Sequence, residues 1–383
     1  MPALRLLNTE SQDKADYLHN QLTTDINVPS TYWECAESYL KGVGIYDVFL
    51  IEEQDFRNYK IFLHETGSFT KKQVFERTGF LRNLQKALIR NEYKELLDEI
   101  ERCNTVQERL KGNVRNFLIR QGIHHVREID YRTRELYESE LRRTKTFSKS
   151  LEYLKTLDRI KQFDIRKEME TLSGRNKEQL KYEGQVIFLP YIPDQDIGSD
   201  FDYIQDKSEL VWDFSQKASE NLKRQIFQIL CYALRNIKDS KDRRVRYLLP
   251  LRWMYEFCIE EGIDDIERLE LEQIKKLETI VARKVVNVKN SMQIVDNSRK
   301  ILFMSGKEIH WYANVWYMER FNFAPERVNP SNPVQRLSFY EVTNERNREL
   351  LQEYMKYQVG ISDLALGNIR SQLCYIKKFS SLL

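Results

Sequence analysis

Few residues in this chain of 383 residues have the types and spacing that catalysis requires. The five histidines are scattered, and no His-Glu-x-x-His motif, cysteine-pair metal motif or glycine-rich phosphate loop occurs. The five cysteines are odd in number and lack disulfide or metal spacing. We therefore predict no metal site, no cofactor and no small-molecule substrate. Reduced core thiols indicate a cytoplasmic protein.

Clusters of arginine and lysine remain, because cations on helices neutralise the phosphates of a duplex and position it. The cluster that we expect to contact DNA consists of Arg243, Arg244 and Arg246. Two further clusters lie at residues 142–149 and at Arg283, Lys284, Lys289, Arg299 and Lys300. For each cluster the alternative is a solvated helix face whose charge is balanced by acids.

The net charge of +3 conceals a strong segregation of charge along the chain. Residues 141–182 carry a net +6, residues 190–213 a net −6 and residues 235–252 a net +5. Such segregation is typical of a DNA clamp with an acidic linker. The acidic linker could fold back on the basic segment before it, or it could simply keep a connection solvated.

Four of the 13 glycines are followed by isoleucine, and each follows a helix end that contains an aromatic residue. These glycines are Gly44, Gly122, Gly262 and Gly360. The pattern predicts a helix that ends at a left-handed glycine, an isoleucine that packs back on it, and a second amphipathic helix. True repetition of a small helical unit is one interpretation, and a common way of ending a helix is the other.

Composition and periodicity favour an all-α protein built from several small helical-bundle units joined by linkers. No apolar run approaches the length that spans a membrane. The segments that we predict are an N-terminal helical unit (1–90), a second helical unit (91–183), an acidic linker (184–214), a third helical unit (215–308), an aromatic-rich connector (309–346) and a last helical stretch (347–383).

The last stretch reads as two helices joined at Gly360. In its second helix, apolar residues recur at three- and four-residue steps and form an amphipathic stripe. The stripe consists of Ile369, Leu373, Ile376, Phe379 and Leu383, while Arg370, Lys377 and Lys378 lie off it.

This stretch resembles the start of the core-binding (SAM-like) domain of tyrosine recombinases, the phage-integrase family. In that family a short turn leads into a helix of the form L-S-x-x-T-I-x-x-x-L-x-x-L-K-x-F-L. Here residues 364–369 occupy the front of that form, and Asn368 stands where the family has threonine. The match covers about a tenth of the chain.

The resemblance implies a DNA-binding N-terminal portion of a site-specific recombinase or transposase of a mobile element. Such enzymes cut and rejoin DNA through a tyrosine–phosphate intermediate, without metal or nucleotide. The implied partners are double-stranded DNA and further copies of the protein on that DNA, with no membrane. The residues implied to contact DNA in the last stretch are Asn368, Arg370, Lys377 and Lys378.

The sequence ends in an apolar helix without a cap, so we expect the catalytic domain of the parent enzyme to lie beyond these residues. The family has a His-x-x-Arg box, and His124 to Arg127 has that form. We reject it as catalytic because it lies on a Gly-Ile turn, whereas the family's box follows the core-binding domain. The alternative function is a helical scaffold that binds proteins through the aromatic-rich connector.

Overall fold

A computed structural model describes residues 13–24, 28–66, 69–170, 186–193, 201, 203–204 and 206–380, with side chains to residue 378. The chain divides into two compact bodies, Met1–Gln179 and Leu180–Leu383. The chain is mostly helical, which confirms the predicted all-α class. The start of the N-terminal unit at 1–12, the end of the basic segment at 171–182 and the stripe position Leu383 lie outside the described residues.

The N-terminal body contains two successive groups of four helices. The first unit consists of α1 (13–22), α2 (Ser30–Gly42), α3 (Glu53–Glu65) and α4 (Lys71–Glu92). The second unit consists of α5 (Lys94–Arg102), α6 (Glu108–Arg120), α7 (Tyr131–Thr144) and α8 (Phe147–Met169).

The C-terminal body contains a third group of four helices, which we call the third unit. The third unit consists of α9 (Glu220–Asn236), α10 (Ser240–Asp242, a π-helical segment Arg243–Leu248, and Leu249–Glu260), α11 (Leu271–Ala282) and α12 (Val288–Ser305). Helices α13 (Glu345–Gly360) and α14 (Leu366–Ser380) follow it.

Two short antiparallel sheets interrupt the helical pattern of the C-terminal body. Strand β1 (Val186–Phe188) pairs with β2 (Val211–Asp213), and β3 (Val315–Tyr317) pairs with β4 (Arg336–Ser338). Both β1 and β2 lie in the predicted acidic linker, whose described apolar residues are largely buried. The linker is therefore a packed element rather than a solvated connection.

The aromatic-rich connector forms a core with the last two helices. Trp316 and Phe339 are fully buried and belong to one apolar cluster with Leu351 of α13 and Ile369 of α14. This contact packs the connector on the last two helices. It also removes Trp316 from the surface through which the alternative scaffold would bind proteins.

Three of the four Gly-Ile corners have the predicted geometry. Gly44, Gly122 and Gly262 have φ of 77°, 68° and 67°, in the left-handed region that favours glycine. A 3-10 turn follows each corner before the third helix of the unit begins. These turns are Val48–Leu50, Val126–Glu128 and Ile266–Arg268.

The first helix of each unit holds this 3-10 turn through one side chain. A glutamine or glutamate oxygen accepts the first N–H of the turn in every unit. The bonds run from Val48 N to Gln21 Oε1 (2.8 Å), from Val126 N to Glu99 Oε2 (2.7 Å) and from Ile266 N to Gln225 Oε1 (2.8 Å). The same three side chains also hydrogen-bond the N-cap side chains Asp47 (2.9 Å), His125 (3.3 Å) and Asp265 (2.7 Å).

The fourth helix of each unit donates to carbonyl groups of the same turn. Gln85 Nε2 donates to Val48 O and Ile51 O (both 2.9 Å), Lys161 Nζ to Val126 O (3.3 Å) and Arg127 O (2.7 Å), and Arg299 to Ile266 O and Leu269 O. A glutamine, a lysine and an arginine thus make equivalent hydrogen bonds to the 3-10 turn, so the three units have the same arrangement of helices and corner. This equivalence favours true repetition of the helical unit over coincidental helix ends.

The prediction for the fourth glycine is wrong. Gly360 ends α13 without a positive φ, and Ile361 is 70% exposed rather than packed back on the helix. In the three units the glycine separates the second helix from the third. Gly360 instead lies between α13 and α14, a pair whose spacing matches the first and second helices of a unit. The Gly-Ile pattern therefore grouped Gly360, which follows a helix of the first type, with three glycines that follow the second helix of a unit.

Substitution of these glycines by alanine distinguishes the two kinds of position. A Cβ atom at Gly122 or Gly360 would meet no atom of a more distant residue within 4 Å. The backbone conformation alone therefore decides how alanine changes the stability. We expect Gly122→Ala to lower the free energy of unfolding by about 1–2 kcal/mol because of its left-handed φ. The matched control Gly360→Ala should leave stability unchanged or raise it by about 0.5–1 kcal/mol. Urea unfolding of both variants measures the difference, and equal losses would contradict the assignment.

Candidate nucleic-acid interface

The predicted arginine cluster lies on the π-helical segment of α10, and its members have different environments. Arg243 is only 3% exposed, and its guanidinium donates to Ile237 O at 2.8 Å and Lys238 O at 3.4 Å. It therefore satisfies carbonyl groups at the end of α9. The prediction that Arg243 contacts DNA is wrong in this conformation, because a buried guanidinium with these bonds reaches no phosphate.

The acidic linker covers the next arginine of the cluster. Arg244 donates two hydrogen bonds to Glu209 Oε2, at 2.8 and 2.7 Å. Arg246 is about half exposed and pairs with Asp242 on the same helix at 3.3 Å. Of the predicted cluster, only Arg246 thus keeps a largely accessible cation.

The four residues of the last helix that we predicted to contact DNA also have different environments. Asn368, Arg370 and Lys378 are exposed on α14. Lys377 is mostly covered, with Nζ 3.1 Å from Ser338 Oγ and paired with the Glu341 carboxylate. Lys377 therefore anchors α14 to the β4 strand region, whereas the other three face solvent.

A cationic surface that sequence reasoning underrated recurs where the third helix of each unit connects to the fourth. In the second unit every residue from 142 to 149 is exposed. Among the described residues no acid pairs with Arg143, Lys145 or Lys149, whereas Arg142 binds Glu138 at 2.6 Å. This connection therefore presents cations that are available to a ligand.

The first and third units place cations at the same connection. Lys71 in the first unit and Arg283 and Lys289 in the third are exposed, and within the described parts of the chain no acid pairs with them. Their neighbours Lys72 and Lys284 make only long ion pairs, at 3.9 and 3.6 Å. The three connections share this charge although their sequences differ.

Each connection leads directly into the N-terminus of a long helix. Thr70, Thr146 and Asn287 are the N-cap residues of α4, α8 and α12, which contain 22, 23 and 18 residues. The first backbone N–H groups of a helix and its dipole attract anions. A helix N-terminus flanked by unpaired lysine or arginine is the arrangement that binds a phosphate of a nucleic-acid backbone.

An exposed apolar side chain accompanies the cations in each unit. Phe75 and Phe147 are both 76% exposed, and Val286 is fully exposed. The signal that sequence reasoning missed is thus a composite one. It consists of exposed basic residues near an N-cap at the equivalent connection of all three units, together with one exposed apolar residue whose position relative to the N-cap differs between the units.

Two buried carboxyl groups have perturbed acidity. Burial raises the pKa of Glu267, at the third corner, to about 8, and one of its oxygens lies 2.7 Å from His310 Nδ1. Burial also lowers the pKa of His310. In the second unit burial raises the pKa of Asp164 to about 6. No group of three His, Cys, Asp or Glu among the described residues is arranged to hold a metal ion.

Comparison with known proteins identifies no relative for this chain. No protein-family model, no curated protein and no solved structure matches it. Among the helices of the described residues, none has the length and apolar character needed to cross a lipid bilayer.

Proposed function

We propose that this chain binds double-stranded DNA as the helical, DNA-gripping part of a tyrosine-type site-specific recombinase or transposase. The observation that carries the proposal is the exposed cationic connection at the N-terminus of the fourth helix, which recurs in three units. A recurring cationic element at a helix N-terminus fits a long, regularly charged ligand better than a small molecule. The resemblance of the last stretch to a core-binding domain supports the same class.

The proposed contacts position the duplex and do not read its sequence. Backbone N–H groups at the start of α4, α8 and α12 would meet phosphate oxygens, and neighbouring lysine and arginine side chains would neutralise them. Phe75 and Phe147 would cover sugar or groove surface beside these phosphates. In α14 the exposed Asn368, Arg370 and Lys378 remain proposed contacts. Grip on DNA beside the crossover site, with contacts between protomers, is the proposed role.

Charge reversal at the second connection tests the proposal. The variant Arg143→Glu/Lys145→Glu/Lys149→Glu should bind a labelled duplex of about 30 base pairs at least about tenfold more weakly. Where a phosphate contact is lost, the counterions stay on the DNA and their release no longer favours binding. The slope of log affinity against log salt should fall by about 3, at roughly 0.9 per contact. Fluorescence anisotropy at several salt concentrations measures both quantities.

A matched control shows whether the weaker binding comes from the lost local contacts or from the change in total charge. The variant Arg57→Glu/Lys60→Glu/Lys86→Glu makes the same change in net charge at exposed positions away from the three connections. Its salt slope should change much less than that of the connection variant. Equal slopes for the two variants, or a native chain without salt-dependent binding, would refute the proposal.

A protein-binding scaffold is the second candidate, because α13 carries an exposed apolar stripe. Leu350, Tyr354, Tyr357 and Ile361 recur at three- and four-residue steps and are 42–70% exposed. Such a stripe on an exposed helix face marks an interaction surface. The absence of salt-dependent duplex binding in the anisotropy experiment would favour this candidate.

A further inference from the structure

A cavity of about 600 Å³ lies in the C-terminal body between α12, the β3–β4 sheet and the start of α14. Three positions of α12 and the segments 317–323 and 333–336 supply most of its wall. Phe321 and Phe323 are half-buried in this wall, and their ring centres lie 5.5 Å apart. Pockets for small ligands in proteins measure roughly 300–1,000 Å³. The cavity is therefore large enough for a flat ring with a sugar attached, such as a nucleoside.

The charged side chains in the cavity wall neutralise one another. The Asp296 carboxylate pairs with the Arg336 guanidinium, and the Asp296 carbonyl oxygen accepts from the Tyr317 hydroxyl at 3.0 Å. Lys300 Nζ lies 2.8 Å from a Glu319 carboxylate oxygen. The other residues of the wall are uncharged. A neutral ligand leaves both ion pairs intact, whereas a charged group inside the cavity would have to compete with one of them.

Three carboxamide groups in the wall have no hydrogen-bond partner among the described residues. They belong to Asn297 of α12, Asn322 and Gln335. Each offers N–H donors and a carbonyl acceptor side by side, and in nucleic-acid complexes asparagine or glutamine binds N6 and N7 of adenine in this way. Aromatic side chains cover the face of an unpaired base by stacking. Carboxamides beside Phe321 and Phe323 therefore favour a flat, neutral ring with donors and acceptors on its edge.

The cavity lies on the same exposed face of α12 as the cationic connection of the third unit. Lys289, Gln293, Asp296 and Lys300 recur at steps of three and four residues and are all exposed. At about 1.5 Å per residue, Asn297 lies roughly 12 Å along the helix from Lys289. Since the phosphates of one DNA strand follow each other every ~3.4 Å of helix axis, a strand bound at Lys289 can bring a base about three or four nucleotides away to the cavity.

We propose that this cavity binds a nucleobase, with adenine preferred, that is turned out of the DNA held at the third connection. The inference rests on the proposed function and adds a base contact to its phosphate contacts. Enzymes that turn a base out of a duplex hold it in a pocket by stacking and by hydrogen bonds to its edge. Here Asn297 and Gln335 would hydrogen-bond the edge of adenine, and Phe321 and Phe323 would cover its face. Free adenosine presents the same ring, so the experiment includes both sources.

A labelled duplex with one extra, unpaired adenine at its centre provides the probe for a DNA base. The matched duplex carries an abasic site in place of that adenine. We expect the native chain to bind the adenine duplex at least about fivefold more tightly than the abasic one, as for one stacked base. Asn297→Leu/Gln335→Leu should abolish this preference, because leucine cannot hydrogen-bond the base edge. Fluorescence anisotropy measures the affinities.

Gln293→Leu is the control, because Gln293 lies on the same face of α12 but outside the cavity wall. This variant should retain the preference for the adenine duplex. Both variants should keep the native Tm, since neither removes a side-chain hydrogen bond among the described residues. A control that loses the preference as fully as the double variant would contradict the assignment of the base to the cavity.

Free adenosine, titrated by calorimetry, separates the two sources of the base. A preference for the adenine duplex without adenosine binding assigns the cavity to DNA. Adenosine that binds the native chain at about 1 mM, a weak-binding limit, but not the double variant assigns it to a free nucleoside if the duplex preference is absent. Salt-dependent binding of a fully paired duplex tests the proposed function by itself. The inference fails if neither the extra adenine nor adenosine is bound, or if Asn297→Leu/Gln335→Leu keeps the native preference.

Discussion

Replacing Asp158 with alanine is expected to lower the free energy of unfolding of the N-terminal body by about 3–5 kcal/mol, as for other broken buried ion pairs. Asp158 of α8 accepts from Arg134 Nε at 2.9 Å and from Arg134 Nη2 at 3.3 Å. Arg134 is 4% exposed and Asp158 8%. The alanine variant removes the main carboxylate partner of a buried guanidinium, and the loss of this compensating charge lowers the stability.

The first unit shows that the fold does not require an ion pair at this place. Phe56 and Arg82 occupy the positions equivalent to Arg134 and Asp158, and the Arg82 guanidinium lies 4.8 Å from the centre of the Phe56 ring. A double variant Arg134→Leu/Asp158→Leu should therefore recover most of the stability lost in Asp158→Ala.

Urea unfolding of the three proteins measures these differences, with Glu138→Ala as the control. Glu138 also pairs with Arg134, at 3.2 Å, but it lies nearer the surface, so its loss should cost less than about 1 kcal/mol. A loss in Asp158→Ala no greater than that in Glu138→Ala would contradict the argument from burial.

Glu267→Gln is expected to abolish most of a pH dependence in the stability of the C-terminal body. Glu267 is 1% exposed, and burial, with the charge of Asp265 second, raises its pKa from 4.5 to about 8. Tyr312, Arg299 and Arg224 act in the opposite direction. At neutral pH we therefore expect the carboxyl group to be mostly protonated and to donate to His310 Nδ1, in the tautomer that carries its hydrogen on Nε2.

The sign of the pH dependence follows from this raised pKa. The folded chain holds the Glu267 proton up to about pH 8, whereas the unfolded chain releases it near pH 4.5. Stability from this group is fully present below pH 4.5 and is lost as the pH rises towards 8. At roughly 1.4 kcal/mol per pH unit, the loss is on the order of 4 kcal/mol.

The glutamine variant keeps a donor for His310 Nδ1 but cannot ionise. Its stability should be nearly flat between pH 5 and pH 8 and should exceed that of the native chain at pH 8. Urea unfolding followed by tryptophan fluorescence across this range measures the effect. Glu308→Gln, an exposed neighbour, should retain the native pH dependence. A native chain as stable at pH 8 as at pH 5 would show that Glu267 is ionised in the folded state.

Local features of the fold were predictable from sequence because their causes are local. The positive φ at Gly44, Gly122 and Gly262 follows from a glycine between two amphipathic helices. Asp130 is likewise a local feature: it is the N-cap residue of α7 and accepts from Thr133 N at 2.8 Å. Gly360 was misassigned because a Gly-Ile pair after an aromatic helix end occurs at one further helix boundary, where no left-handed residue is needed.

The sequence by itself determined the helical class, the helix ends at three corners and the segregation of charge. Only the tertiary structure decided which cations are available, because an ion-pair partner can lie anywhere in the chain. Glu209 neutralises Arg244 from 35 residues away, and Arg243 binds carbonyl groups at the end of α9. Helix periodicity is a short-range property, whereas burial and hydrogen-bond partners depend on how distant segments pack.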